Sequence, residues 1–157
     1  MKNFILRYGL VGGCISIFFG LLNWFTIAPF TYNGSQIVGY ITLILSLLCI
    51  PAGIKYFRDK LNSGNVTFAQ SFKIGLGITV IASIVMFLYS SLFFIFAGDT
   101  FTEWQAEANP QAAEIPEFMM NPWAQGLIMF FISFFIGLII NLISSLVLKQ
   151  NMQSASA

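Results

Sequence analysis

Residues 53–76, GIKYFRDKLNSGNVTFAQSFKIGL, decide the fold. They hold Lys55, Arg58, Lys60 and Lys73, four of the seven basic residues of the chain, and a long apolar run stands on each side. Lys/Arg-rich connections between apolar runs mark a polytopic membrane protein, because cytoplasmic loops collect positive charge. The other basic residues extend the pattern: Lys2 and Arg7 precede the first apolar run, and Lys149 follows the last. Five of the six acids, Asp99, Glu103, Glu107, Glu114 and Glu117, fall together between the third and fourth runs, and Asp59 alone lies among the basic residues. Four spanning helices with both termini cytoplasmic place every Lys and Arg inside. The reverse threading translocates all of them.

Composition supports the same class. Of the 157 residues 57% are hydrophobic and 8% charged, against about 25% charged in a soluble domain. Lipid must therefore solvate much of the surface. The basic residues cluster where apolar runs end and form no continuous patch, so nucleic acid is not an expected partner. Cys14 and Cys49 both fall inside apolar runs and read as small packing residues, not as a disulfide. With no histidine, a zinc site would need mostly carboxylates. The expectation is no metal and no cofactor.

The spans follow from length. The first apolar run, Tyr8 to Ala28, is longer than the roughly 7–15 residues of a signal-peptide core. Pro29 also stands directly after Ala28, so a retained helix is expected. The reading is an all-α, single four-helix transmembrane domain over 1–149, with helices at about 8–28, 37–57, 68–97 and 122–148. An extracytoplasmic loop over 98–121 and a disordered tail over 150–157 complete it.

Local signals refine these bounds. Pro51 is placed to kink the second helix. Lys55 and Asp59 stand four apart, the spacing of a pair on one helix face. Thr67-Phe68-Ala69-Gln70 reads as a capping box opening the third helix, and Thr100-Phe101-Thr102-Glu103 as a second one. Phe101, Trp104 and Ala108 then suggest a short amphipathic helix on the membrane surface, and Pro110 and Pro116 would break any longer one. Asn121-Pro122-Trp123 opens the last helix, with Asn as cap and Pro at the first helical position.

Small residues recur every four positions: Gly12, Ser16 and Gly20 in the first helix, with Gly9 and Gly13 as a second register; Gly75, Thr79 and Ser83 in the third; Ser133, Gly137, Asn141 and Ser145 in the fourth. In lipid such stripes mark close helix approach, within one bundle or in a homodimer. Thr79, Ser83, Asn141 and Ser145 are the candidate polar residues of a packing seam or of a pore. No acid or histidine lies in the four apolar cores, which disfavours ion-coupled transport. No nucleophile has a histidine base, so no enzyme is expected. Arg7-Tyr8-Gly9-Leu10 and Lys73-Ile74-Gly75-Leu76 also echo each other, as a duplicated helix pair would.

Several blocks carry a resemblance. Gly53-Ile54-Lys55-Tyr56-Phe57-Arg58-Asp59-Lys60, then Asn62-Ser63-Gly64, Val66-Thr67-Phe68 and Phe72-Lys73-Ile74-Gly75-Leu76, are similar to the central signature of an uncharacterised bacterial inner-membrane family, domain of unknown function 4199, found mostly in Bacteroidota. Arg7-Tyr8-Gly9-Leu10 and Asn121-Pro122 with the Gly-Leu-Ile-rich last helix fit the same layout. The resemblance implies a four-helix inner-membrane protein and no particular activity.

The expected function is non-enzymatic. The protein is read as an accessory or interaction protein working through protein or lipid contacts, with Lys55, Arg58, Lys60 and Lys73 as its cytoplasmic basic surface. The expected partners are the lipid bilayer and a membrane protein or a second copy. The runner-up is a passive channel or facilitator for a small solute.

Overall fold

The computed structural model describes residues 2–108, 116, 118 and 121–149. Their regular structure is entirely helical: α1 (Lys2–Thr26), α2 (Tyr32–Leu47), α3 (Cys49–Tyr56), a π-helical turn (Phe57–Leu61), α4 (Phe68–Ala108) and α5 (Pro122–Leu148). Counting α2, α3 and the π turn as one bent rod, four helices are long and apolar enough to cross a membrane. The chain is a multi-pass membrane protein.

Each boundary has a local cause. The Thr31 hydroxyl accepts from the Gly34 N–H and caps α2, so the helix starts at Tyr32, ahead of the expected start near residue 37, and takes in the Asn-Gly-Ser stretch. The bent rod breaks at Leu48, three residues before Pro51, because a proline ring clashes with the carbonyl of the preceding turn and offers no N–H. The Thr67 box closes in both directions: the Gln70 N–H donates to the Thr67 hydroxyl at 3.3 Å, and the Thr67 N–H donates to Gln70 Oε1 at 3.1 Å. At α5 the Asn121 side chain accepts from the Trp123 N–H, with Pro122 in the first turn.

The outer segment differs from the sequence expectation. α4 does not stop near Ala97; it continues to Ala108 without a break. At 1.5 Å per residue its 41 residues span about 60 Å, twice a hydrocarbon core of about 30 Å. The Thr100–Glu103 box does not form. Thr102 Oγ1 instead donates back to the carbonyls of Gly98 and Asp99, at 3.0 and 2.8 Å. Tertiary contact holds the extension: Trp104 Nε1 donates to the Ala28 carbonyl at 2.9 Å, and Phe101 packs on Trp24, Phe93 and Phe94. Most of the expected loop beyond Ala108, with Pro110, Glu114 and Glu117, lies outside the described residues, as does the tail 150–157.

Glycine contacts define the packing directions. Gly9, Gly13 and Gly20 lie against Ile81, Val85 and Tyr89, so α1 and α4 run parallel. Asn141, Gly137 and Gly126 lie against Gly75, Thr79 and Ser91, so α5 runs antiparallel to α4. Gly12 meets Ser46 and Cys49, and Gly53 meets Tyr8, so the bent rod is antiparallel to α1. These glycines are thus used inside one bundle. The two glycines of the internal echo sit in different seams, Gly9 facing α4 and Gly75 facing α5.

Burial is inverted relative to a soluble protein. Ser71, Thr79, Ser83, Ser91 and Asn141 are at most 1% exposed, while Phe25, Phe96 and Val147 are 73–85% exposed. Lipid is as apolar as leucine, so burying large side chains brings little gain, and small residues that let backbones approach take the interior. Among the described residues, an apolar core lies in the half of the bundle nearer the basic turn. There Leu47, Ile50, Ile54, Ile74 and Ile78 pack together with Val66.

Candidate functional site

Two polar groups hold the residues that the sequence singles out. The first is the basic end. α1 and the bent rod are joined there by aromatic contacts, Phe4 stacking on Phe57 at 5.7 Å and Tyr8 meeting Tyr56 at 5.8 Å. These contacts fix the π turn that carries Arg58, Asp59 and Lys60. The chain then reverses through Ser63 (φ 51°) and Gly64 (φ 82°), and the Gly64 N–H donates to the Arg58 carbonyl at 2.8 Å. A left-handed position favours glycine because it has no Cβ.

Lys55, Lys60 and Lys73 are exposed on this end, and Arg58 is partly buried. Asp59 does not pair with Lys55 as the four-residue spacing suggests. Arg58 Nε donates to its carboxylate at 2.6 Å. The cause is the π turn, whose wider i to i+5 bonding shifts Asp59 off the helical register that Lys55 requires. The turn stands beyond the apolar part of the rod. The Arg58 hydrogen bond holds the Asp59 carboxyl below the ordinary carboxylate range; partial desolvation opposes this, and the charges of Arg58, Lys55 and Lys60 reinforce it. Arg58 is therefore neutralised locally, while three lysines remain as free-standing cations. Arg7 and Lys149 are exposed on the same end.

The second group is the α4–α5 seam. Asn141 is fully buried. Its Nδ2 donates to the Phe72 carbonyl of α4 at 3.0 Å, and its Oδ1 accepts from the Ser145 hydroxyl at 3.2 Å. Gly75 makes the space: a Cβ there would overlap the Asn141 carboxamide. One turn on, Thr79 Oγ1 donates back to the Gly75 carbonyl at 2.8 Å, and its methyl faces Gly137. The same antiparallel register puts Ser83 level with Ser133; both hydroxyls are buried and without a hydrogen-bond partner. All four residues singled out in the sequence, Thr79, Ser83, Asn141 and Ser145, thus come together, and all are sealed in helix–helix contact at 0% exposure.

Sequence reasoning missed a third feature at the opposite end. Trp24, Tyr32, Phe93, Phe101 and Trp104 form one aromatic cluster that ties the α1–α2 corner to the outer part of α4. The signal was present, since Phe93, Phe94, Phe101 and Trp104 keep helical spacing across Gly98.

The model of the family described as Protein of unknown function (DUF4199) matches residues 7–150. The chain belongs to this family. The match runs from Arg7 in the first turns of α1 to the residue after Lys149, so it takes in the basic turn, the α4–α5 seam, three whole spans and most of the first. No curated protein and no solved structure matches the chain.

Proposed function

We propose that this DUF4199 protein is a non-enzymatic accessory protein of the bacterial inner membrane, with both termini in the cytoplasm, acting through protein and lipid contacts at its basic end. One observation carries the reading. The polar side chains singled out at the α4–α5 seam are fully buried between helices, with Asn141 bonded to α4 and to Ser145, Thr79 bonded to its own helix, and the Ser83 hydroxyl enclosed without a partner. What remains for recognition is the surface, and its basic feature is the lysine cluster of Lys55, Lys60 and Lys73. Each lysine near an anionic bilayer contributes about 1 kcal/mol, and the same cluster can meet an acidic cytoplasmic segment of a partner. The positive-inside bias supports the orientation.

The test is purification of the full chain in mild detergent from native membranes, followed by mass spectrometry, for the wild type and a K55E/K60E/K73E variant. A stoichiometric protein or anionic lipid held by the wild type and lost by the variant supports the proposal. A bare protein in both cases refutes it. Solute flux in vesicles that is lost on Asn141→Leu would establish the facilitator reading instead.

A further inference from the structure

An apolar groove of about 540 Å³ runs between α1 and α4 in the half of the bundle away from the lysines. Leu21 and Phe25 form one wall, Leu88, Leu92 and Phe96 the other, and Tyr89 its floor. Gly20 leaves the space that the Tyr89 ring occupies. The groove faces the hydrocarbon, so its wall alone selects nothing.

Its outer end supplies the selection. On α4, Leu92 and Phe96 are followed at three- and four-residue steps by Asp99, Glu103 and Glu107, which places the three carboxylates on the stripe that lines the groove. All three are exposed. Every Lys and Arg of the chain lies at the other end of the spans, so the acids have no cation of their own chain to meet. Because α4 continues unbroken past Ala97, the acids stand directly above the groove on a rigid helix.

We propose that this groove holds a membrane lipid bearing a primary-amine headgroup, its acyl chain along Leu92 and Phe96 and its ammonium group at Asp99 and Glu103. The alternatives fit the charge less well. A second copy in the same orientation brings its own acids to this end, and like charges oppose that contact. A partner helix carries its Lys and Arg mainly on the cytoplasmic side, the side of the lysine cluster. The exclusion of a partner helix rests on the orientation proposed above, but the site lies at the end of the bundle opposite the lysines, so its test fails or succeeds apart from that of the lysine cluster.

Native mass spectrometry of the full chain tests it, with phosphatidylethanolamine and phosphatidylglycerol of identical acyl chains as competing probes. The wild type is expected to retain the amine lipid in about fivefold excess, as two exposed ion pairs would give. Asp99→Asn with Glu103→Gln, both at exposed positions, should bring that ratio to near one. Leu92→Trp should fill the groove and reduce retention of both lipids. Equal retention by the wild type, an unchanged ratio in the double variant, or undiminished binding in L92W each overturns the proposal. So does a co-purifying polypeptide displaced by L92W, which would assign the groove to a protein.

Discussion

Gly75→Ala and Asn141→Ala, made singly and together, probe the α4–α5 seam most sharply. The methyl that Gly75→Ala adds collides with the Asn141 carboxamide, lying 2.6 Å from its Cγ. Overpacking of this kind costs about 1–3 kcal/mol, and the gain of about 1 kcal/mol from replacing helical glycine with alanine offsets part of it. The expected net loss for G75A is roughly 0–2 kcal/mol. Asn141→Ala removes the bond to the Phe72 carbonyl, typically about 0.6 kcal/mol in a membrane protein. It also opens a cavity the size of a carboxamide, for a total of about 1–2 kcal/mol. In the double variant the methyl added at position 75 enters that cavity. The combined loss should then be about 1 kcal/mol, below the sum of about 2.5 kcal/mol from the mid-range values, a coupling of about 1.5 kcal/mol. The assay is reversible unfolding from mild-detergent micelles into SDS, followed by helical circular dichroism. Losses that add to within about 0.5 kcal/mol would mean that Gly75 and Asn141 do not share the space the structure gives them.

Three further outcomes are expected. Thr67→Ala should cost about 1 kcal/mol through loss of the cap and speed hydrogen exchange over the first turn of α4; unchanged exchange there would show that the box is not formed in solution. Trp104→Phe keeps the aromatic packing but deletes the bond to the Ala28 carbonyl, so residues 98–108 should lose exchange protection while the spans keep theirs; protection that stays at the wild-type level would mean the bond does not hold the extension. Asp59 has a folded-state pKa below its unfolded value, so its pairing with Arg58 stabilises above the usual carboxylate range and is lost as pH falls through the folded pKa. Unfolding of the wild type at acid pH should therefore approach that of Asp59→Asn, and a constant gap between the two from neutral to acid pH would remove the ion pair from the account.

Element by element, the sequence was legible where a signal acts over a few residues. The Thr67–Gln70 box, the Asn121-Pro122 start of α5 and the interruption near Pro51 each depend on groups within one turn of each other, and each forms as its pattern indicates. Prediction failed where distant contacts compete with local ones. Gly98 and the Thr100–Glu103 pattern argue locally for a helix end and a new start. The contacts of Phe101 with Trp24 and of Trp104 with Ala28 come from the end of α1 and the turn after it, more than seventy residues away, and they carry α4 through. The Lys55–Asp59 pair failed for a related reason: a spacing rule assumes an α-helix, and the chain forms a π turn there.

Taken alone, the amino-acid order determines that this is a four-span membrane protein, because the length of each apolar run and the sorting of Lys, Arg, Asp and Glu by loop are one-dimensional quantities read by the bilayer. The same order shows that small and polar residues recur every four positions, but not which neighbour each stripe meets, since Gly12, Gly13, Gly75 and Gly137 look alike on paper. Only the tertiary structure decides that Gly13 takes α4, Gly12 takes the bent rod, and Gly75 admits Asn141 of α5. Helix association in lipid is governed by close shape matching between surfaces of similar chemistry, and shape matching is a property of the pair, absent from either helix by itself.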